Sequence, residues 1–241
     1  MINIPMNSTG VFNRNSIKNI NRPKSINQSE PVAREPVRPQ TVNSTPRQSF
    51  THTVPTLNKR MAKGEKCSLE TSGNLTGIKA CFGWNTKDTR CDVDVSAFLL
   101  DQTGKVLGDS WFVFYGQTES PDHSTKLTIN GPGAADLEVI NVDLTKLNPQ
   151  VRRIVFVLTI NEAFDKGLNF GMMKDAYVRI LDSSDNNELA GFMMTDYYTN
   201  VISMMIGEIY IHNGTWKFNA IGNGVAKDLA GLCEFYGVQV I

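Results

Sequence analysis

Carboxylate pairs at two places in the chain are the residues best suited to chemistry. Asp92 and Asp94 lie two positions apart, and Asp136 and Glu138 repeat this spacing. Residues i and i+2 of a β-strand share a face about 6.6 Å apart, so each pair can direct its carboxylates at one cation. Such oxygens suit Ca²⁺, which takes roughly six to eight of them from carboxylates, carbonyls and water. Equally, acids at strand ends can simply face solvent without an ion.

Further oxygen donors lie near the second pair. The backbone of Gly131-Pro132-Gly133 offers carbonyls just ahead of Asp136, and Asp122 and Asn130 are additional candidate ligands. If these segments adjoin, the carboxylates and carbonyls together approach the ligand number of a calcium site. The sequence by itself leaves open whether they adjoin.

Nucleophilic and acid–base catalysis has fewer candidate residues. His52, His123 and His212 are the three histidines of the chain. No nucleophile elbow, phosphate-binding loop, zinc-protease helix or dinucleotide fingerprint occurs in a suitable context. Cys91, beside Asp92, is a candidate redox-sensitive thiol, although free cysteines are mostly buried and inert. A thiol-redox or hydrolytic enzyme is therefore the weakest hypothesis for this chain.

Short apolar runs broken by Gly, Asn and Asp from Met61 onward predict the elements that position these residues, and they are typical of all-β domains. Alternate positions are apolar in 78–84 and 93–99, as half-buried strands require. Residues 111–115 are rich in aromatic side chains and predict a further strand. Residues 153–160 are apolar on both faces, which predicts a central strand.

Two hairpins and one helix complete the predicted elements. Residues 176–182 return through 183–187, and residues 208–212 return through Asn213-Gly214 to 216–218. The Asn-Gly pair is the stronger turn signal, because both residues tolerate the positive φ of a type I′ turn. Apolar residues at helical spacing over 229–236 predict a C-terminal helix ending at Gly237 and lying over an edge of the sandwich.

Residues 1–60 differ in composition from the rest of the chain. They hold seven of the ten prolines, many Asn, Ser and Thr, and only scattered apolar residues. Such a segment buries too little surface to offset its ordering entropy, which predicts a disordered tail over 1–60 and a folded domain over 61–241.

The charges are also divided unevenly. The tail has nine Lys and Arg against Glu30 and Glu35, so it carries a charge of +7 and residues 61–241 carry −7. Nucleic-acid binding by the domain is therefore disfavoured, whereas the tail can recruit an acidic membrane surface or a partner. The four cysteines lack CxxC spacing, which is typical of reduced thiols in the cytoplasm.

Residues spread along the whole of 61–241 carry a resemblance to one family. Met61–Leu69, Gly83-Trp84 and Cys91–Asp101 resemble the opening of TerD-domain proteins, which are tellurium-resistance and general stress proteins of bacteria. The likeness continues in order through Ser120–Asp122, Leu137–Leu144, Ile154–Ile160, Phe170-Gly171, Ala176–Ile180, Glu188–Ala190, Gly207–Tyr210 and Asn213–Phe218. The resemblance implies a two-sheet β-sandwich, a cytoplasmic location, calcium binding by clustered acidic residues, and a stress or tellurite-resistance role without a known reaction.

The chain departs from the family where calcium is bound. A glycine-rich acidic loop of the family is replaced by Thr128–Glu138, in which Leu137 occupies one expected aspartate position. Because loss of ligand charge lowers calcium affinity, we expect one weakened site, or none, where a full member has two.

Two functional hypotheses lead. The first is a non-enzymatic TerD-domain stress protein that binds calcium weakly through Asp92, Asp94, Asp136 and Glu138 and contacts partner proteins of a tellurium-resistance complex. The second is a metal-free interaction module of the same fold, in which the basic tail recruits the partner or an acidic membrane surface.

Overall fold

The structure, a computed structural model, describes residues 51–70 and 74–240. Within these residues the strands are β1 (Arg60–Met61), β2 (Lys66–Ser68), β3 (Gly77–Thr86), β4 (Val93–Leu100), β5 (Phe112–Val113), β6 (Thr125–Ile129), β7 (Glu138–Asp143), β8 (Arg153–Ile160), β9 (Met173–Asp182), β10 (Glu188–Met193), β11 (Ser203–His212), β12 (Thr215–Asn219) and β13 (Asn223–Val225). The α-helices are α1 (Ala163–Lys166) and α2 (Leu229–Tyr236).

The strands form two sheets that pack face to face. Sheet I has the order β1-β10-β9-β3-β7-β6, and sheet II has the order β2-β12-β11-β8-β4-β5 with β13 beside β11. Neighbouring strands are antiparallel except for β1 and β10, which pair in parallel. The predicted all-β, two-sheet sandwich with a short C-terminal helix is confirmed.

The core lies between the inner faces of the two sheets. Ile78, Ala80 and Phe82 of sheet I and Val93, Val95, Ala97 and Leu99 of sheet II are buried in it, as their alternation predicted. Phe82 meets Phe156 of β8 edge to face, with the ring centroids 5.5 Å apart. Strand β8 lies between β11 and β4, so the prediction of a central strand over 153–160 is confirmed.

The strand predicted over 111–115 is shorter than expected. Trp111 ends a 3-10 turn that begins at Asp109, and β5 comprises only Phe112 and Val113. The chain then turns back, because Phe114 and Gln117 exchange backbone hydrogen bonds of 3.0 and 2.9 Å. The first half of β4 therefore has no strand beside it on this edge within the described residues.

The turn chemistry of the second hairpin is as predicted. Asn213 has φ 53° and Gly214 has φ 78°, so both central residues are in the left-handed region that a type I′ turn needs. Strand β11 then pairs with β12 from Glu208 opposite Asn219 to His212 opposite Thr215.

Helix α2 covers the outer face of sheet II rather than a sandwich edge. Leu232, Cys233 and Tyr236 join Phe98 and Phe112 in a second buried cluster on that face. The helix begins after Asp228, whose carboxylate accepts the Gly231 N–H, and ends at Tyr236 with Gly237 as its C-cap. Across residues 51–70 and 74–240, no helix is long and apolar enough to span a bilayer.

The N-terminal boundary differs from the prediction. Residues 1–50 of the predicted tail lie outside the described residues, but residues 51–60 are described and lie against sheet I. His52 is buried and hydrogen-bonded to Asn85 and Tyr177, and β1 begins at Arg60. Composition failed here because a few anchoring contacts, rather than a dense apolar pattern, hold this segment.

The contact between Phe82 and Phe156 gives a stability prediction. Phe156→Ala should lower the free energy of unfolding by about 3–5 kcal/mol, because it removes a fully buried ring and leaves a cavity between the sheets. The matched control is Phe164→Ala, which removes a ring that is 62% exposed and should change stability by less than about 0.5 kcal/mol. Denaturant unfolding measures both, and equal losses would contradict the placement of the core.

Candidate functional site

Three acidic residues meet where β4 and β7 begin, and we call Asp92, Asp94 and Glu138 the acidic cluster. Asp92 immediately precedes β4, and Asp94 lies on its outer face because Val93 and Val95 point into the core. Glu138 opens β7 of the opposite sheet, and its Oε2 accepts the backbone N–H of Val95 at 3.1 Å. Glu138 therefore bridges the two sheets at the part of β4 that β5 leaves unpaired.

Members of the acidic cluster lie within range of one another's charges. Burial raises the pKa of Glu138 to about 8, with a further increase from Asp94 and Asp92 that outweighs the Val95 hydrogen bond. Burial, and then the charge of Asp92, raises the pKa of Asp94 to about 7. Near neutral pH this site therefore holds protons that isolated carboxyl groups would have lost.

Two polar groups flank Asp94. Burial, and then the charges of Asp94 and Asp92, raises the pKa of the Tyr115 hydroxyl to about 12. Ser96 follows Asp94 by two positions on the same strand face, is 2% exposed, and has an Oγ without a hydrogen-bond partner among the described residues. A buried hydroxyl of this kind needs an explanation such as a bound water or ion.

Asp136 belongs to a different surface. Its carboxylate accepts hydrogen bonds from Arg179 Nε at 3.0 Å and Nη2 at 2.6 Å, and from the Tyr177 hydroxyl at 3.0 Å. Along β9, Val178 and Ile180 point into the core, so the alternate residues Tyr177 and Arg179 lie on the outer face of sheet I. The prediction that Asp136 and Glu138 share one strand face is wrong, because β7 begins at Glu138 and Asp136 lies in the loop before it.

Asp122 and Asn130 hold loops together. Asp122 accepts hydrogen bonds from Ser120 Oγ, Ser124 N and Asn148 N at 2.7 to 3.0 Å. These bonds outweigh the opposing effect of burial, so the pKa of Asp122 is lowered. Asn130 Nδ2 donates to the Asp136 carbonyl at 3.0 Å and closes the loop before β7. All six predicted residues stay predictions as metal ligands. The structure groups Asp92, Asp94 and Glu138 in the acidic cluster, places Asn130 against the backbone of Asp136, and holds Asp122 in a separate loop.

The acidic cluster fits a cation in part. Among residues 51–70 and 74–240, no group of three or more His, Cys, Asp or Glu side chains is arranged to hold a metal ion. Glu138 Oε2 is engaged by Val95, and Asp136 is neutralised by Arg179. The cluster still offers the carboxylates of buried Glu138 and half-buried Asp94, with the unpartnered Ser96 hydroxyl two positions from Asp94, and such oxygen donors are the ones that hard cations prefer.

The cysteines give little support to thiol chemistry. Cys91 is half-buried, and burial raises the pKa of its thiol, as does the charge of Asp88. Burial also raises the pKa of Cys81 and Cys233 to about 12. Because the thiolate is the reactive form, a raised pKa lowers the reactivity of these residues near neutral pH.

Tyr177 and Arg179, the partners of Asp136, were not predicted from the sequence. Tyr177 and Arg179 alternate with buried apolar residues in Ala176–Ile180, and a half-buried arginine needs hydrogen-bond acceptors, which a carboxylate supplies two at a time. This requirement could have predicted an acidic partner for Arg179, but the identity of that partner depends on the fold.

Relatives of known sequence agree with this architecture. Residues 57–236 match the TerD domain family. The chain is 35% identical over 190 residues to the tellurium resistance protein TerD of Serratia marcescens, covering 76% of this chain and 99% of that protein. It is also 35% identical over 188 residues to general stress protein 16U of Bacillus subtilis (strain 168), covering 75% of this chain and 97% of the relative. The protein belongs to the TerD-domain family.

Solved structures show the same fold. A crystal structure of a homologue of the telluride resistance protein from Streptomyces coelicolor A3(2) superposes with a TM-score of 0.51 at 16% identity, covering 65% of this chain and 94% of that chain. A protein of unknown function superposes with a TM-score of 0.53 at 19% identity, covering 67% of this chain and 95% of that chain. At these identities the similarity supports the fold alone.

The raised pKa of Glu138 predicts how stability depends on pH. The folded state binds a proton at Glu138 that the unfolded chain, with a value near 4.5, has released, so stability declines as pH rises from about 4.5 to about 8. Glu138→Gln keeps an acceptor for Val95 but removes the titration. At pH 8, with a chelator present, we expect it to raise the free energy of unfolding by on the order of 1–3 kcal/mol.

Urea unfolding at pH 5 and pH 8 measures this effect. The matched control is Glu70→Gln at an exposed position, which should follow the wild-type pH dependence. A Glu138→Gln protein that is less stable than wild type at pH 8 would mean that the carboxylate is ionised and favourably paired.

Proposed function

We propose that the chain is a non-enzymatic TerD-domain protein of a tellurite-resistance or general stress response that binds calcium weakly at the acidic cluster and contacts partner proteins. The cellular role is supported by relatives named for tellurium resistance, general stress and resistance to chemical-damaging agents. The calcium proposal rests on one observation, which is the proximity of buried Glu138 to half-buried Asp94 and exposed Asp92.

Like charges in a buried site are costly unless something neutralises them. Near neutral pH the available means are protons, which the raised pKa values of Asp94 and Glu138 describe, or a cation. A divalent cation would replace these protons and supply a fixed positive charge to the cluster. The buried Ser96 hydroxyl, which lacks a partner among the described residues, is a candidate for one further oxygen ligand near Asp94.

We expect weak affinity for calcium because the other candidate carboxylate ligands already form hydrogen bonds or ion pairs within the protein. Asp136 already forms a two-point ion pair with Arg179, and Asp122 accepts three hydrogen bonds within its loop. Recruiting either residue to a cation would require breaking those interactions. With three carboxylates available, the proposed site is poorer in ligand charge than calcium sites of high affinity.

Calcium titration of the full chain tests the proposal. A ligand that binds only the folded state stabilises it by RT ln(1 + [L]/Kd), about 2.7 kcal/mol at a hundredfold excess over Kd. We expect millimolar calcium to raise the melting temperature more than equal magnesium does, because calcium accepts irregular oxygen coordination whereas magnesium demands octahedral geometry and loses its water reluctantly. The effect should be greater at pH 8.5 than at pH 6, since binding must displace protons from Asp94 and Glu138.

Matched variants locate the effect. Asp92→Asn with Asp94→Asn should abolish the calcium-dependent rise. Asp185→Asn with Asp196→Asn removes the same number of carboxylates from exposed loops and should retain it. A calcium effect that survives loss of Asp92 and Asp94 would place the ion elsewhere.

The second candidate function is a metal-free interaction module of the same fold. It is favoured by the observation that no metal-holding group of His, Cys, Asp or Glu occurs in the described part of the chain. In this proposal the cluster is neutralised by protons, and the basic residues 1–60 recruit a partner protein or an acidic membrane surface. Absence of any shift at millimolar calcium across pH 6 to 8.5 would favour it over the first proposal.

A further inference from the structure

Residues 51–58, which we call the arm, lie along the outer face of sheet I, mostly ahead of the part that matches the TerD family. His52 is 7% exposed, although it is surrounded in sequence by exposed or half-buried residues. Its backbone N–H donates to Asn85 Oδ1 at 2.7 Å, and its carbonyl accepts from Asn85 Nδ2 at 3.0 Å. A single side chain of β3 thus holds both backbone groups of His52.

Two glycines allow the arm to approach the sheet closely. A Cβ on Gly83 would lie 2.6 Å from His52 Nε2, and a Cβ on Gly191 would lie 3.2 Å from Leu57 Cβ. Beyond the arm, the Lys59 N–H donates to Glu188 Oε1 at 2.7 Å and the Lys59 carbonyl accepts the Gly191 N–H at 2.8 Å. The arm is therefore fixed at its two ends, by His52 near Gly83 and by Leu57 near Gly191.

The hydrogen bonds of Tyr177 determine the tautomer of His52. The Tyr177 hydroxyl lies 3.0 Å from His52 Nε2, and 3.0 Å from both the Ala135 carbonyl and Asp136 Oδ1. Ala135 and Asp136 offer acceptors only, so the one hydroxyl proton goes to them and His52 Nε2 must donate to the Tyr177 oxygen. His52 Nδ1 then carries a lone pair, and it is buried without a partner among the described residues.

We propose that the arm is a releasable latch on sheet I and that protonation of His52 releases it. A second proton on the imidazole would make Nδ1 a buried donor with no acceptor, and it would place a full charge in a partly desolvated position. Water can supply the missing acceptor for Nδ1 and solvate the charge of the imidazolium only when the arm leaves the sheet.

The charges around His52 do not reverse this preference. Two titratable groups act on His52 itself, namely the Tyr177 hydroxyl by contact and Asp136 through its charge. The next charged or titratable groups on these elements are Arg179, which pairs with Asp136, Asp175, which accepts from Asn85, Cys81, which lies near Asp136 and Arg179, and Lys174, which lies opposite Asn85 in the register. Asp136 attracts a proton to His52, but it is already ion-paired with Arg179. Burial is the larger effect and lowers the pKa of docked His52 below 6.5.

The sign of the pH dependence follows from this difference. Above about pH 6.5 the imidazole is neutral in both states, so docking has its full strength. As pH falls below 6.5 the released arm binds the proton more readily than the docked arm, so release becomes more favourable. If the docked form excludes the proton, the release equilibrium should increase about tenfold by pH 5.5.

Hydrogen exchange of the full chain, followed by mass spectrometry and corrected for intrinsic exchange rates, tests the latch. In the wild type, protection of residues 51–60 should fall between pH 7.5 and pH 5.5, by up to about tenfold, while protection of β8 stays constant and reports intact folding. His52→Gln keeps a side-chain amide but cannot titrate, so its arm exchange should not depend on pH. His212→Ala, which removes an exposed histidine, should behave as the wild type.

A second variant tests the geometry independently of pH. Tyr177→Phe removes the hydroxyl that His52 contacts, and it should increase exchange of residues 51–60 at both pH values without altering β8. The proposal is overturned if the wild-type arm shows no pH dependence, if His52→Gln retains it, or if Tyr177→Phe leaves arm exchange unchanged. These readouts are independent of calcium, so the latch and the proposed calcium site stand or fall separately.

Discussion

The burial of two apolar strand faces against each other is the constraint on which the rest of the structure depends. Phe82 and Phe156 meet between the sheets, and alternation then fixes the direction of every residue along their strands. Because Val93 and Val95 must point inward, Asp94 points outward. Because Val178 and Ile180 must point inward, Tyr177 and Arg179 form the outer surface on which the arm rests. The polar sites are consequences of the core.

The structure neutralises its buried or partly buried carboxylates in three different ways. Asp136 is paired with Arg179, Asp122 accepts hydrogen bonds from its own loop and from Asn148, and Asp94 and Glu138 favour protons. Only the last solution leaves room for competition, because a proton can be exchanged for a metal ion without dismantling a salt bridge or a turn. This difference explains why three of the six candidate ligands remain attractive and the others do not.

Local pattern was sufficient to predict most of the fold. Alternation identified the inner faces of β3 and β4, the apolar run over 153–160 identified the central strand, and Asn213-Gly214 identified a hairpin. The errors arose where distant residues decide. The carboxylate of Asp136 pairs with Arg179, 43 positions away, and His52 is held by Asn85 and Tyr177. Composition and periodicity contain no information about such pairings.

The two N-terminal strands have a consequence for synthesis of the chain. Strand β2 pairs with β12, so Lys66 cannot pair until Asn219, 153 positions later in the chain, has been synthesised. At translation rates of about 5–20 residues per second, its partner is made roughly 8–30 s later. The neighbouring β1 likewise needs β10. Strands β1 and β2 therefore remain without their partners during most of the synthesis of the chain. During this period chaperones, or rapid pairing of the intervening strands, would protect the chain from aggregation.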